Sequence, residues 1–147
     1  MSTRSLIAYT SDNYKFSSIY CHFGGYPSGV GKTLLEHYVD PVKVIALMGL
    51  GSLSILGAEL GEQHNFNDSV TVSDLGDVCT AYGRDRGERD QEASLTKGKK
   101  SLLQSASNCC AEHIYLFTNG HWSWYKVSGA ARWRKLTPAL VKEPVRG

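Results

Sequence analysis

The sequence has no long hydrophobic run. Its longest apolar stretch, Val44–Leu50, covers seven residues, whereas a membrane-spanning helix needs roughly 18 or more. The start of the chain, Met1–Ser5, lacks the charged and then apolar pattern of a secretory signal peptide. We therefore expect a protein that acts in the cytoplasm and has no membrane partner.

Cysteine is also scarce, with four residues among 147. In a chain without a secretory signal, such thiols are expected to stay reduced and not to form a disulfide framework. The neighbours Cys21 and His22, and the pair Cys110 and His113, do not have the spacing of a zinc knuckle. The sequence therefore predicts no metal site and no cofactor.

Charge of one sign does not dominate, since the formal net charge is +2, but the charges are unevenly distributed. Residues 1–81 hold four Lys or Arg and eight Asp or Glu, a balance of −4, while residues 82–147 hold twelve and six, a balance of +6. The second part can attract nucleic acid or another acidic partner, and a solvated surface is the alternative.

We expect one α+β domain over residues 1–127 and a basic C-terminal tail over residues 128–147, which need not be fully ordered.

Strand patterns occur near both ends of the chain, and helix patterns lie between them. Two hairpins are predicted, Arg4–Thr10 with Phe16–Phe23 and His113–Phe117 with His121–Val127. The second has the stronger signal, because Asn119-Gly120 fits a type I′ turn. Three segments have apolar residues at helical spacing, namely Val30–Tyr38, Pro41–Met48 and Ala93–Cys109. This order predicts an α+β fold, in which an antiparallel β-sheet from the N-terminal and C-terminal hairpins packs against two to four helices.

The central part of the chain is the least periodic. Residues 57–76 are rich in Asp, Asn, Gly and Ser and are predicted to form a long surface loop. A short third strand is predicted over Asp77–Tyr82, followed by a charged turn over Gly83–Asp90. The arginines Arg84 and Arg86 in that turn have the planar forks that bind phosphates and carboxylates. A turn that neutralises its own charges is the alternative.

The segment Gly29-Val30-Gly31-Lys32-Thr33 resembles the end of a phosphate-binding loop that precedes a helix. The spacing does not fit, because the first glycine of that motif would stand at position 26, which is Tyr26. Gly25 comes one residue too early, and Pro27 has no amide to offer a phosphate. The sequence therefore argues against a nucleoside triphosphatase and leaves two alternatives, a weaker anion site or a turn whose glycines serve backbone geometry.

Other side chains support less specific hypotheses. His22, beside the glycine loop, and His37, on the predicted first helix, could act as acid–base groups. A structural histidine is the alternative for each. The aromatic residues Trp122 and Trp124, with basic residues nearby, could stack on nucleobases; packing of the sheet against helices is the alternative.

Several strings together resemble a family of small proteins encoded by tailed bacteriophages and prophages. They are Ser2–Ser5, Ile19–Pro27, Gly29–Gly31, Leu34–Tyr38, Gly51–Ser54, Tyr82–Glu88 and the closing aromatic hairpin. The resemblance covers residues 1–127, and the first forty residues are the most specific. At Gly24 this chain departs from the family pattern, which has Asp there. The resemblance implies a role during infection of a bacterium, in the host cytoplasm, and it supplies no catalytic residues.

We therefore expect a non-enzymatic phage accessory protein that binds and inhibits a host component, with a defence protein as the expected target. The predicted binding residues are His22, Gly25, Tyr26, Gly29, Gly31, Lys32, Arg84 and Arg86. Three alternatives stay open: sequestration of a nucleotide signal, nucleic-acid binding through the basic tail, and a small enzyme. Self-association is a further expectation, with no number of subunits specified.

Overall fold

A mixed β-sheet with helices on both faces organises the described part of the chain, which in this computed structural model comprises residues 3–62, 78–129 and 132–142. The strands are β1 Ser5–Tyr9, β2 Lys15–Cys21, β3 Leu53–Ile55, β4 Thr80–Ala81, β5 Ser94–Lys97, β6 His113–Thr118, β7 His121–Lys126 and β8 Arg134–Lys135. The helices are α1 Lys32–His37, α2 Pro41–Leu50, α3 Tyr82–Arg86, α4 Lys99–Asn108 and α5 Pro138–Val141, and a π-helical turn, Pro27–Gly31, precedes α1. The predicted α+β class is confirmed.

The strand order shows how the two predicted hairpins meet. The order is β4-β3-β2-β1-β6-β7-β8, and β5 pairs separately with the first half of β2. The β1–β2 and β6–β7 hairpins are antiparallel, as predicted. They join through a parallel β1–β6 pair, and β2 and β3 are also parallel. The sheet is therefore mixed and not wholly antiparallel, because the long connection between the hairpins returns β6 in the same direction as β1.

Alternation along the strands divides the core into two faces. On the first face, Ile7, Ile19 and Tyr115 pack against residues from α1, α2 and α5. On the second face, β1, β2 and β6 contribute another set of apolar residues, which packs against Leu102 and Ala106 of α4. Because both faces of the sheet are covered, we expect functional residues at the strand ends, where the loops leave it, and along the edge strands.

The second helix forms as its sequence predicts. Asp40 caps it, since its Oδ1 accepts a 2.9 Å hydrogen bond from the amide of Val42, and Pro41 occupies the first helical position. Gly51 follows the last residue with φ +73° and ends the helix.

The predicted helix over Ala93–Cys109 is wrong in its first part. Ser94–Lys97 forms strand β5, and α4 begins only at Lys99. The reason is Gly98, whose φ of +82° is open to glycine and breaks a continuous helix.

The predictions for the central region have mixed outcomes. The third strand is shorter than predicted, because Tyr82 already begins α3, and the charged turn is therefore helical up to Arg86. Most of the predicted loop over residues 57–76 lies outside the described residues. None of the helices in the described residues combines the length and the apolar composition of a membrane span.

Part of the predicted basic tail belongs to the folded core. Strand β8 pairs with β7, and Leu136, Leu140 and Val141 are buried on the first face of the sheet. Thr137 caps α5 by accepting a 3.2 Å hydrogen bond from the amide of Leu140. The described tail residues therefore contribute apolar burial as well as positive charge.

Candidate functional site

The glycine-rich loop that leaves β2 packs tightly against the segment before β1 and against β6, and both strands are central in the sheet. The Gly25 amide donates a 2.9 Å hydrogen bond to the carbonyl of Thr3, and the hydroxyl of buried Tyr115 donates a 2.7 Å bond to the Gly25 carbonyl. A Cβ atom on Gly25 would lie 2.7 Å from the Thr3 carbonyl oxygen. Gly25 therefore serves close backbone packing.

Gly29 and Gly31 are also positions where neighbouring groups approach the backbone closely. A Cβ atom on Gly29 would meet the Gly24 carbonyl and would lie 2.9 Å from Cε2 of the Tyr26 ring. A Cβ atom on Gly31 would lie 3.1 Å from Cε1 of the Tyr115 ring, inside the core. These two predicted binding positions hold glycine because neighbouring groups approach their backbone closely.

Two amides that a phosphate cradle would use are already hydrogen-bonded inside the loop. The Gly29 amide donates to the Tyr26 carbonyl at 2.9 Å, and the Val30 amide donates to the Gly24 carbonyl at 2.8 Å. The hydroxyl of Thr33, the position that binds magnesium in a phosphate-binding loop, donates to the Gly29 carbonyl at 3.2 Å. The geometry therefore favours the turn interpretation of this motif over an anion cradle.

A concave depression of about 480 Å³ lies on the outside of this loop. Its lining includes the aromatic rings of Phe23 and Tyr26, the cation of Lys32 and the hydroxyl-bearing residues Ser28 and Thr33. Apolar residues of β3 and the segment after it, Ile55 and Leu56, complete one side. Three of the predicted binding residues thus line one depression, namely Tyr26, Gly29 and Lys32.

Phe23 is the main residue of this depression that the sequence analysis missed. It is 47% exposed although it is a large apolar side chain. Its amide donates to the Ser54 carbonyl at 3.1 Å, which fixes its backbone beside β3. An aromatic residue directly before two glycines, at the end of the predicted second strand, was the signal available in the sequence.

His22 lies beside the depression and is held by its neighbours. Its Nδ1 atom is 2.7 Å from the Tyr20 hydroxyl, and its ring meets the Phe23 ring edge-on with centroids 4.5 Å apart. The contact orients Phe23. These contacts favour the structural interpretation of His22 over an acid–base role.

The Arg84 side chain is engaged in the fold. Its guanidinium donates to the carbonyls of Leu60 at 2.7 Å, Gly61 at 2.9 Å and Cys79 at 2.8 Å. It also contacts the buried carboxylate of Asp85 at 3.0 Å. Arg84 therefore anchors the segment before the undescribed residues 63–77 to the turn around α3.

Arg86 is more exposed, and it pairs with Glu88 at 3.1 Å and lies over the Tyr82 ring. Arg84 lines a second cavity of about 580 Å³ together with Gly49, Arg89 and Asp90. The two cavities have no lining residue in common among the described residues. The structure therefore does not bring the arginines into the depression at the glycine loop.

The buried thiols are poor nucleophiles. Burial raises the pKa of Cys21 to about 12, and it also raises the pKa of Cys79. The Cys79 sulfur accepts from the Gly57 amide at 3.3 Å and lies 3.4 Å from the Tyr38 hydroxyl. All four cysteines are free, and no group of three or more His, Cys, Asp or Glu in the described residues could hold a metal ion.

The tryptophans of the closing hairpin pack into the fold. The Trp122 indole donates a 2.8 Å bond to the Tyr38 carbonyl, and its ring is buried against Phe117. The Trp124 indole donates a 2.9 Å bond to Nδ1 of His113. These contacts favour sheet packing over the stacking of nucleobases.

No protein-family model, curated protein or solved structure shows a significant match to this chain. The resemblance to a phage protein family therefore stays a prediction.

Proposed function

We propose that this chain is a phage accessory protein that acts in the host cytoplasm by binding a host component. A defence protein is the expected target. The observation that carries the proposal is the depression at the glycine loop, where the exposed ring of Phe23 stands beside Tyr26 and Lys32. Aromatic residues at a concave site are frequent anchors of protein interfaces. The phage context rests on the sequence resemblance.

The loop is suited to a binding role because its backbone is already fixed. Its internal hydrogen bonds and close glycine contacts hold Phe23 and Tyr26 before any partner arrives. A preorganised surface binds with less loss of conformational entropy than a flexible one. The rings and the Lys32 ammonium then contact the partner, while Gly25 and Gly31 keep the loop in place.

The experiment is an affinity capture with the tagged full-length protein from infected and uninfected bacterial lysates, followed by mass spectrometry. We expect one host protein in stoichiometric amount with the wild type, and its loss with Phe23→Ala combined with Lys32→Glu. Val42→Ala is the matched control, since Val42 is an exposed apolar residue on α2, outside the depression. Equal capture by all three proteins would contradict a role for the depression.

A second candidate function is sequestration of a nucleotide signal, and the size and lining of the depression favour it. Its volume of about 480 Å³ is in the range of small-molecule sites. Phe23 and Tyr26 offer rings for a base, and Lys32 offers a cation for a phosphate. Calorimetry with a panel of mononucleotides and cyclic dinucleotides tests it: tight binding that Phe23→Ala removes would support it, and no heat from any of them would exclude it.

Nucleic-acid binding through the tail needs a different test from deletion. Removing residues 128–147 would also remove Leu136, Leu140 and Val141 from the core. Replacing Arg134 and Lys135, both exposed on β8, by Gln lowers the charge and leaves these buried residues in place. Salt-dependent binding that survives this change would argue against a role for Arg134 and Lys135.

A further inference from the structure

Strand β5 lies beside the first residues of β2, far from the depression, and one of its backbone edges is exposed. It pairs with β2 through Lys15↔Lys97 and Ser17↔Leu95, and the described part of the chain places no strand on its other side. The edge lies at the start of β2, whereas the depression follows its end, so roughly 20 Å of strand separates them. The two surfaces are therefore separate.

The hydrogen-bond pattern shows which groups of β5 point outward. The Gly98 amide donates to the Tyr14 carbonyl, which makes this a hydrogen-bonded pair of the antiparallel ladder. Because such pairs alternate with non-bonded ones, Leu95 and Lys97 direct their N–H and C=O groups away from β2. A strand from another chain can bond to these groups without displacing any existing ladder bond.

The side chains on this edge are unusual for a solvent-facing strand. Leu95 is 80% exposed, the highest value among the large apolar residues of the described chain. Beside it, Lys15 and Lys97 stand directly opposite each other in a non-bonded pair, where side chains are closest. Like charges in this position destabilise a sheet, so an anionic neighbour would be favourable here.

The next helix adds to the positive charge. Helix α4 begins with Lys99 and Lys100, and its first turn has no acidic residue. Cations at a helix N-terminus are unfavourable, because the helix dipole is positive there. Lys99 lies over the Trp133 ring, whereas Lys15, Lys97 and Lys100 are exposed and form no ion pair within 4 Å among the described residues.

We propose that the β5 edge is a docking site for an extended, acidic segment of a partner protein, which adds as a strand beside Leu95 and Lys97. The backbone of that segment pairs with their outward N–H and C=O groups. An apolar side chain of the segment covers Leu95, and its carboxylates lie beside Lys97 and Lys15. This proposal does not rest on the proposed function of the depression.

The test measures binding of the full-length protein to short synthetic peptides that alternate Val or Thr with Glu, with matched peptides that carry Lys instead of Glu. We expect binding of the Glu peptides alone, and slower hydrogen exchange at the Leu95 and Lys97 amides when they are bound. Methylating the peptide backbone nitrogens on the pairing edge removes the ladder bonds and is expected to remove binding. This comparison uses the wild-type protein only.

Two variants and a control separate the contributions. Lys97→Glu is expected to weaken Glu-peptide binding about tenfold, while Lys135→Glu on the opposite edge strand, with the same change of charge, leaves it unchanged. Leu95→Pro removes one outward N–H and no bond to β2, and is expected to weaken binding roughly three- to tenfold.

Three results would overturn the proposal: no binding of the Glu peptides, equal binding of the methylated peptides, or no protection of the two amides. Binding of a single-stranded oligonucleotide in place of the peptides, lost in Lys97→Glu, would assign the edge to nucleic acid instead. Failure of the depression experiments would leave this result unaffected, because Phe23 and Lys32 take no part in it.

Discussion

The Trp124 indole N–H donates to Nδ1 of His113, and the two rings stack with centroids 5.9 Å apart. Since the indole is a donor only, Nδ1 must be unprotonated, and the proton of the neutral imidazole lies on Nε2. Burial, together with the nearby charge of Lys126, lowers the pKa of His113 to about 4. The pair therefore requires a neutral histidine in the folded protein.

This histidine makes stability depend on pH. Its pKa is about 4 in the folded state and about 6.5 when unfolded, so between these values the unfolded state binds the proton and the folded state does not. The contribution is complete above pH 6.5 and is lost as pH falls toward 4, with a total of about 3 kcal/mol. Urea unfolding at a series of pH values measures it, and in His113→Gln the same pH range should show a flatter dependence.

Gly31 and Gly49 give opposite expectations for the same substitution. Gly31→Ala places a methyl group 3.1 Å from the buried Tyr115 ring and is expected to cost about 1–3 kcal/mol. Gly49→Ala lies within α2 with no atom within 4 Å of the new methyl, and is expected to stabilise the fold by about 0.5–1 kcal/mol. Thermal unfolding of both variants measures the difference, and equal effects would contradict the close approach of Tyr115 to Gly31.

Arg84 is expected to be a stability residue. Arg84→Met removes its hydrogen bonds to three carbonyls and its contact with the buried Asp85 carboxylate. We expect a loss of about 3–5 kcal/mol in the free energy of unfolding, because the buried Asp85 carboxylate loses the Arg84 cation. Arg89→Met, on the exposed surface nearby, is the control and should change stability by less than about 0.5 kcal/mol. Loss of binding without loss of stability in Arg84→Met would instead show that Arg84 is a binding residue.

The four thiols should react in a fixed order. Cys110 is exposed, Cys109 is half-buried with a pKa raised by burial, and Cys21 and Cys79 are buried. A maleimide reagent followed by mass spectrometry should therefore label Cys110 first, Cys109 more slowly, and the other two only on unfolding. In Cys110→Ser the fast phase should vanish. Early labelling of Cys79 would show that the Tyr38–Cys79 region opens readily.

The structural features that the sequence predicted correctly depend on residues close together along the chain. The turn at Asn119-Gly120, the Asp40 cap and the alternation of both hairpins are local patterns, and all three are present. The parallel pairing of Ser5 with His113 is not local, because a whole connection of strands and helices separates the partners along the chain. No periodicity in either strand could have identified the other as its neighbour.

The candidate site was predicted in part for the same reason. The loop was found from its glycines, but the sequence could not show that Gly31 faces Tyr115, a residue of a distant strand. The Leu95 and Leu102 spacing was compatible with a helix, and only the positive φ of Gly98 separates a strand from α4. Arg84 was predicted in a charged turn but lies in the short helix α3, and two of its carbonyl partners, Leu60 and Gly61, lie far back along the chain.

During synthesis, the glycine-rich loop can reach its packed conformation only after the segment that ends in α5 has been made. Leu136 Cδ1 would lie 3.5 Å from a Cβ atom on Gly31, and α5 contacts the π-helical turn of the loop. Residues 22–33 leave the ribosome early, but their support arrives only once residues 136–141 have followed. A chain terminated before residue 136 would therefore carry every side chain of the depression without the contacts of Leu136 and α5 that support the loop.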